Sequence, residues 1–396
     1  MEDNKNQKNT IAILFIIIFI LFFILIFSWL EVFGIIGNDS VTVTSMLNQT
    51  VQDVKEVTNR KIVVDKKDDS LSTTNSLEEK DKLLEQIKAQ SVLYEESIEN
   101  EVTVLNINTG RFYYSQIDDN AKILYDKLVE NKENLKKGNF TIECGNVFSE
   151  VLKQKDGADS LKYSYSQAVR AFLFDNPEIF FLDVPKLCLV TQSETTIISK
   201  EYNVFIKAEE GSSYLNSQFP TEAIINSAQN KINEVVNKIL EDTEGYNTVE
   251  KIEYVHDYLA ESIEYDSSLE KASIHDIYGA LINKTAVCEG YAKAFKYILD
   301  KMQIPTVIVV GNAQNVKGEI ESHSWNYVNI DGKWYGIDVT FDDPIVVGDF
   351  SNNISNIRYK YFLKGNDEFS KIHTIDSMEI LEFNVEYPTL EEESYK

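Results

Sequence analysis

Cys288, His323 and Asp338 are the side chains whose types and order fit an acylating thiol centre. A cysteine attacks a carbonyl carbon as its thiolate, so it needs a base or a positive field beside it. A histidine that takes the thiol proton must hold one tautomer, and for that it needs an acceptor such as a carboxylate. The chemistry open to such a trio is acyl transfer through a thioester.

The surrounding elements must bring the three together. After Cys288, the apolar positions Ala292, Phe295, Ile298, Leu299 and Met302 recur at helical spacing and stop before Ile304-Pro305. That spacing predicts Cys288 at or near a helix N-terminus, where unpaired N–H groups favour an anion. Thr306 to Val310, closed by Gly311, reads as a buried strand. His323 to Thr340 reads as a β-hairpin turning on Asp331-Gly332, a type I′ signal. Ile330 then pairs with Lys333, and counting outward sets His323 opposite Thr340 and Trp325 opposite Asp338. His323 and Asp338 become diagonal neighbours on one face, about 7–8 Å apart at Cα, so the ring can donate one N–H to the carboxylate and keep its other nitrogen for the thiol. Val328, Ile330, Tyr335, Ile337 and Val339 take the opposite, core-facing side.

Three blocks carry a family resemblance: Y-G-A-L-I-N-K-T-A-V-C-E-G-Y-A-K-A-F (Tyr278 to Phe295), H-S-W-N-Y-V (His323 to Val328) and D-G-K-W-Y-G-I-D-V-T-F-D-D-P (Asp331 to Pro344). Together with H-D-Y-L-A and I-E-Y-D between His256 and Asp266, they resemble the core of the transglutaminase-like superfamily, bacterial branch. The resemblance implies a papain-like α+β core with the cysteine on a helix packed against an antiparallel sheet. It also implies that Cys288 is the nucleophile, His323 the general base and acid, and Asp338 the orienting carboxylate. Animal transglutaminases have tryptophan after the cysteine and use an upstream tryptophan as oxyanion donor. Here Glu289 follows Cys288, and the tryptophans are Trp29, in the apolar N-terminal run, Trp325 and Trp334. The backbone N–H of Cys288 is then the expected oxyanion donor, with Tyr278 and Trp325 as side-chain candidates on the substrate and oxyanion side. Hydrolysis of amide bonds in protein or peptide is favoured over transglutamination. The alternative is a non-catalytic surface adhesion or assembly module that keeps the fold.

The chain of 396 residues has room for two or three units, and its formal charge of −26 argues against a nucleic-acid partner, which it would repel. Ile11 to Leu30 is apolar but for Ser28, long enough at about 1.5 Å per residue to span a hydrocarbon core of roughly 30 Å. No small-residue cleavage site follows, and Lys5 and Lys8 precede the run, so an uncleaved anchor with a cytoplasmic N-terminus and an extracellular remainder is expected. The organisation reads as a cytoplasmic tail at 1–10, a transmembrane helix at 11–30, a stalk with a charged helix at 31–110, a smaller α/β accessory domain at 111–245 and the catalytic domain at 246–396. Ser76 with Glu79 reads as the capping box of the stalk helix.

Within the accessory region, Asp118 or Asp119 caps a first helix, a second runs to Asn176-Pro177, and a third covers Ala223 to Leu240 with Ile224, Ala228, Ile232, Val235 and Ile239 inward. Phe180 to Val190 and Thr195 to Ile206 read as strands, the first burying Cys188; a Cys144–Cys188 disulfide is open. His256 reads as a structural residue, whereas His275 and His373 read as lone loop histidines. Asp342-Asp343 with Asp349 reads as a solvated acidic turn rather than a calcium site, so neither metal nor cofactor is expected.

Overall fold

The computed structural model describes Ile107 and residues 110–195, 200–315, 317–343 and 358–396. The apolar run Ile11 to Leu30, the stalk helix with its capping box, and Asp349 lie outside the described residues, whereas Ile107 and Gly110 at the end of the expected stalk are described, and Ile107 is buried in the core. Among the described residues, no helix is long and apolar enough to cross a membrane.

The first elements form a helical layer beside a small sheet. Helix α1 (Asp119–Glu130) starts where the Asp118 carboxylate accepts from the Ala121 N–H at 2.8 Å, and it buries Ala121, Leu124, Tyr125 and Leu128. Helix α2 (Gly157–Asp175) packs against it and ends before Asn176-Pro177, as the missing proline N–H requires. Strands β1 (Ile142–Gly145), β2 (Cys188–Thr195) and β3 (Lys200–Lys207) make an antiparallel sheet in the order β1-β3-β2. Helix α3 (Glu222–Asp242) turns Ile225, Ala228, Ile232, Val236 and Ile239 inward, so the face lies one residue along from the predicted one at two positions and Ile224 is exposed.

Two expectations fail in this region. Phe180 to Leu187 is not a strand. Pro185 lies in a short 3-10 turn, Val184–Lys186, and Phe180, Phe181 and Leu182 plug the core from irregular backbone, with only Leu182 bridging to Leu215. Cys188 therefore opens β2 instead of filling a core strand, and it is half-exposed. Cys144 on β1 and Cys188 on β2 lie on either side of β3, about 10 Å apart across two strand spacings and beyond disulfide reach. Both are free thiols.

The second group of elements begins with α4 (Thr248–Ser262), held by a full capping box between Asn247 and Glu250. Two short parallel strands, β4 (Glu264–Tyr265) and β5 (Thr285–Ala286), then lead into α5 (Cys288–Lys301), whose buried face includes Ala294, Phe295, Ile298 and Leu299. Phe295, Ile298 and Leu299 each contribute about 1.5–3 kcal/mol on burial. The main sheet is antiparallel in the order β8-β7-β6-β9, built from β6 (Thr306–Gln314), β7 (Ile320–Ile330), β8 (Lys333–Ile337) and β9 (His373–Ile375). Helix α5 lies on this sheet, where the Asn326 side chain donates to Ala292 O at 3.1 Å and Val307 O at 3.2 Å. Buried side chains from Ile107 to Leu390 join in one apolar cluster.

Candidate active site

Helix and hairpin deliver the three expected residues, and the hairpin does so by a different route from the one its pattern suggests. Cys288 is the first residue of α5, half-buried, after Val287, which offers no side-chain cap. The turn is as predicted: Asp331 (φ 54°) and Gly332 (φ 84°) both have positive φ, as type I′ demands. The register also holds, with Ile330 opposite Lys333 and Asn326 opposite Ile337.

Pairing stops at Ile337, however. Asp338 leaves the strand and caps a single helical turn, α6 (Val339–Asp342), its Oδ1 accepting from Phe341 N–H at 3.0 Å. The carboxylate thus reaches His323 from a cap, not from a diagonal strand position, and Thr340 faces no strand partner. Oδ2 accepts from His323 Nε2 at 2.8 Å, with both residues buried. Both faces of β7 are covered, since His323, Trp325 and Tyr327 are buried like Ser324, Asn326 and Val328 on the other side.

With Nε2 committed to Asp338, Nδ1 of His323 is the nitrogen left for the thiol. Burial works against a charged ring, but the Asp338 carboxylate and then Cys288 push His323 up to about 10. Burial also opposes ionisation of Asp338, yet His323 and His373 hold it well below the usual carboxylate range. The imidazole stacks on Phe341 at 4.3 Å between centroids, which fixes its plane.

The two side-chain candidates for the substrate side are both held in aromatic packing. Trp325 is 1% exposed and packs between His323 and His373, so it shields the His–Asp pair. Tyr278 is held by its ring against Phe180 and Phe219. Tyr265 went unnoticed in the I-E-Y-D block. Burial keeps its phenol protonated, and Cys288, Glu321 and Asp338 add to that effect, which places it among the charged groups of the site. Glu289 is paired with Lys293 Nζ at 2.6 Å and His275 Nδ1 at 3.1 Å, so His275 is not a lone loop residue. These three line a cleft of about 340 Å³ with Leu173, Phe180 and Ile274.

His373 and the acidic pair depart most from expectation. His373 opens β9, is buried, and its Nε2 also meets Asp338 Oδ2 at 2.8 Å. Neither its neighbours nor its spacing reveals this, since the contact depends on β9 joining the edge of the sheet. One ligand atom each from His323, Asp338 and His373 lie within 4.8 Å of one another, a spacing open to a divalent cation, but an ion there would have to replace both 2.8 Å hydrogen bonds. Asp342 and Asp343 are fully buried, not solvated: Asp343 accepts from Tyr291 OH at 2.8 Å, and Asp342 accepts from Tyr361 N–H at 2.9 Å and faces His256 Nε2 at 3.2 Å.

That pair gives a pH prediction. Burial pushes Asp342 up to about 7 against the pull of His256. Burial opposes the charge on His256, but Asp257 and Asp342 raise it above its ordinary value. Both groups bind protons more tightly folded than unfolded, so their contribution to stability is full below the unfolded pKa and lost as pH rises through the folded one. For Asp342 that window runs from about pH 4 in the unfolded chain to the folded value near 7. Asp342→Asn lacks the ionisation, so the melting-temperature gap between wild type and variant is expected to shrink from pH 5 to pH 8. Parallel melting profiles would show that Asp342 does not titrate in that window.

Residues 233–339 match the family model described as the transglutaminase-like superfamily. A curated relative, kyphoscoliosis peptidase of Mus musculus, is 25% identical over 126 residues, which is 29% of this chain and 19% of that protein, so the chain spans about a fifth of its length. Among solved structures, a TGase aligns over 43% of this chain and 47% of its own at 16% identity and a TM-score of 0.26. The periplasmic domain of TgpA from Pseudomonas aeruginosa, bound to ethylmercury, aligns over 39% and 68% at 11% identity and a TM-score of 0.23.

Proposed function

Since residues 233–339 form a transglutaminase-like superfamily domain, we propose that this chain is a cysteine-dependent enzyme acting on amide bonds of protein or peptide through a Cys288 thioester. The observation that carries the reading is the buried 2.8 Å bond from His323 Nε2 to Asp338, which leaves Nδ1 as the nitrogen that faces the thiol at the start of α5. The thiolate sulfur attacks the amide carbon, and the carbonyl electrons move onto oxygen, held by backbone N–H at the helix start. As the oxyanion collapses, His323 gives its Nδ1 proton to the departing amine. In the second half Nδ1 takes a proton from water, hydroxide adds to the thioester, and the thiolate leaves with a carboxylic acid formed.

Selective alkylation tests this reading. Iodoacetamide near neutral pH is expected to label Cys288 well ahead of Cys144, whose thiol burial pushes up to about 11. Equal or slower labelling of Cys288 would favour a non-catalytic surface module.

Hydrolysis is read as dominant over amine transfer because Glu289, ion-paired with Lys293 and His275, stands where animal transglutaminases carry tryptophan. Mass spectrometry of a glutamine- and lysine-containing protein incubated with a labelled amine is expected to show deamidation or cleavage with few adducts. Abundant adducts or isopeptide cross-links would reverse that order.

The apolar run Ile11 to Leu30 supports anchoring in the cell membrane with the domain outside. Protease added to intact cells is then expected to remove the chain beyond Ser40, and protection of that region would sink the topology.

A further inference from the structure

His373 lies beyond the matched residues 233–339, yet it meets the carboxylate at the centre of the site. We propose that His373 is a positioning residue, a doubly protonated imidazolium that donates one N–H to Asp338 Oδ2 and the other to Phe369 O and so fixes the carboxylate that orients His323. The inference rests on the thiol-enzyme reading given above.

Hydrogen-bond chemistry supplies the argument. Nδ1 lies 3.1 Å from Phe369 O, and a carbonyl oxygen only accepts, so Nδ1 carries a proton. Nε2 lies 2.8 Å from Asp338 Oδ2, and an ionised carboxylate also only accepts, so Nε2 carries one too. A neutral imidazole has a single N–H and cannot serve both. The surroundings suit a cation: the ring stacks on Phe369 at 4.0 Å with the planes 7° apart, and Trp325 packs at 4.9 Å.

The carboxylate has no freedom left. Oδ1 is taken by Phe341 N–H, and Oδ2 by both imidazoles at 2.8 Å. Without His373, Oδ2 would keep one donor, and the group could swing about its cap and carry His323 out of line. Asp338 and His323 face His373 directly, Tyr361 packs on its ring, Cys288 lies beyond His323, and the charge of Asp342 reaches Asp338. The Asp338 carboxylate meets the imidazolium in a direct hydrogen bond, and a buried charge is tolerated when it is paired and hydrogen-bonded.

Two measurements on the full-length protein test the assignment. With ¹⁵N-labelled histidine, the His373 ring is expected to show both nitrogens protonated near neutral pH, and a single protonated nitrogen would overturn the proposal. H373L keeps bulk without a donor, whereas H373Q keeps an N–H donor without the charge. Alkylation of Cys288 by iodoacetamide is expected to fall about ten- to a hundredfold in H373L, the scale of a lost hydrogen bond to a charged group, and to recover within about fivefold of wild type in H373Q. Wild-type reactivity in a folded H373L, or a folded H373Q no better than H373L, would also overturn it. Should H373L fail to fold, the ring spectrum still decides, and a folded H373Q more than about tenfold slower than wild type would overturn the proposal. A wild-type Cys288 no more reactive than Cys144 or Cys188 would instead sink the thiol-enzyme reading, while the spectrum still settles the protonation of His373.

Discussion

Asp338→Asn is expected to lower turnover by about 10³- to 10⁴-fold, the scale found when the orienting carboxylate of a Ser–His–Asp triad becomes an amide. The geometry explains why the loss is steep. Asp338 accepts from Phe341 N–H on one oxygen and from two imidazole N–H groups on the other. An asparagine that keeps the cap aims its NH₂ at both rings, so His323 must present a lone pair at Nε2 and carry its proton on Nδ1, against the thiol. Turned the other way, the NH₂ opposes Phe341 N–H. A buried group left unsatisfied costs about 1–3 kcal/mol, so the variant should also melt earlier, and activity must be read where circular dichroism shows it folded. Cys288→Ala should abolish acylation outright. Asp342→Asn, which the hairpin pattern alone would suggest as an innocuous control, is unsuitable because Asp342 is buried on His256 and Tyr361 N–H. The exposed Asp367 serves instead, and Asp367→Asn should leave turnover within twofold. Near-full activity in a folded Asp338→Asn would show that another group orients His323.

The elements that carry Cys288 and His323 were legible in the sequence for reasons that were local. The helix after Cys288 announces itself through its 3.6-residue apolar spacing, and Asp331-Gly332 sets both the turn and the register from Ile330 out to Ile337. What stayed hidden depends on contacts between segments far apart in the chain. The pairing rule carried past Ile337 could not know that Asp338 would become a cap. His373, 35 residues from Asp338 in sequence, has no apolar or charged pattern that marks it. The same limit explains Asp342-Asp343: an acidic doublet in a strongly acidic chain looks solvated until His256 on α4 and Tyr291 on α5 are seen to close over it. Phe180 to Leu182 misled in the opposite sense, since an aromatic run has strand-like propensity whether it lies in a ladder or plugs a core from irregular backbone.

Gly311→Ala is expected to destabilise the protein and to lower Cys288 reactivity together. The apolar run before it makes Gly311 look like the end of a strand, but β6 continues to Gln314, with Gly311 paired to His323 on one side and Ile375 on the other. Its backbone conformation is ordinary; what the position requires is space. A Cβ there would lie 2.1 Å from Thr374 O, 2.6 Å from Asp376 N and 2.9 Å from Ile375 Cα. All three are main-chain atoms of the β9 edge, so none can swing aside as a side-chain tip would. Either β6 bows towards His323 or β9 moves away and draws His373 off Asp338. Overpacking of this kind costs about 1–3 kcal/mol, roughly 2–10 °C in melting temperature for a domain this large. Gly211→Ala separates the two effects. Gly211 has φ +75° with nothing within 4 Å, so alanine there is strained without clashing, at about 1–2 kcal/mol. Both variants should melt earlier than wild type, but only Gly311→Ala should slow alkylation of Cys288 at a temperature where each is folded. An unchanged alkylation rate in Gly311→Ala would mean that β9 can be displaced without disturbing the carboxylate, and that the edge strand plays no part in aligning the site.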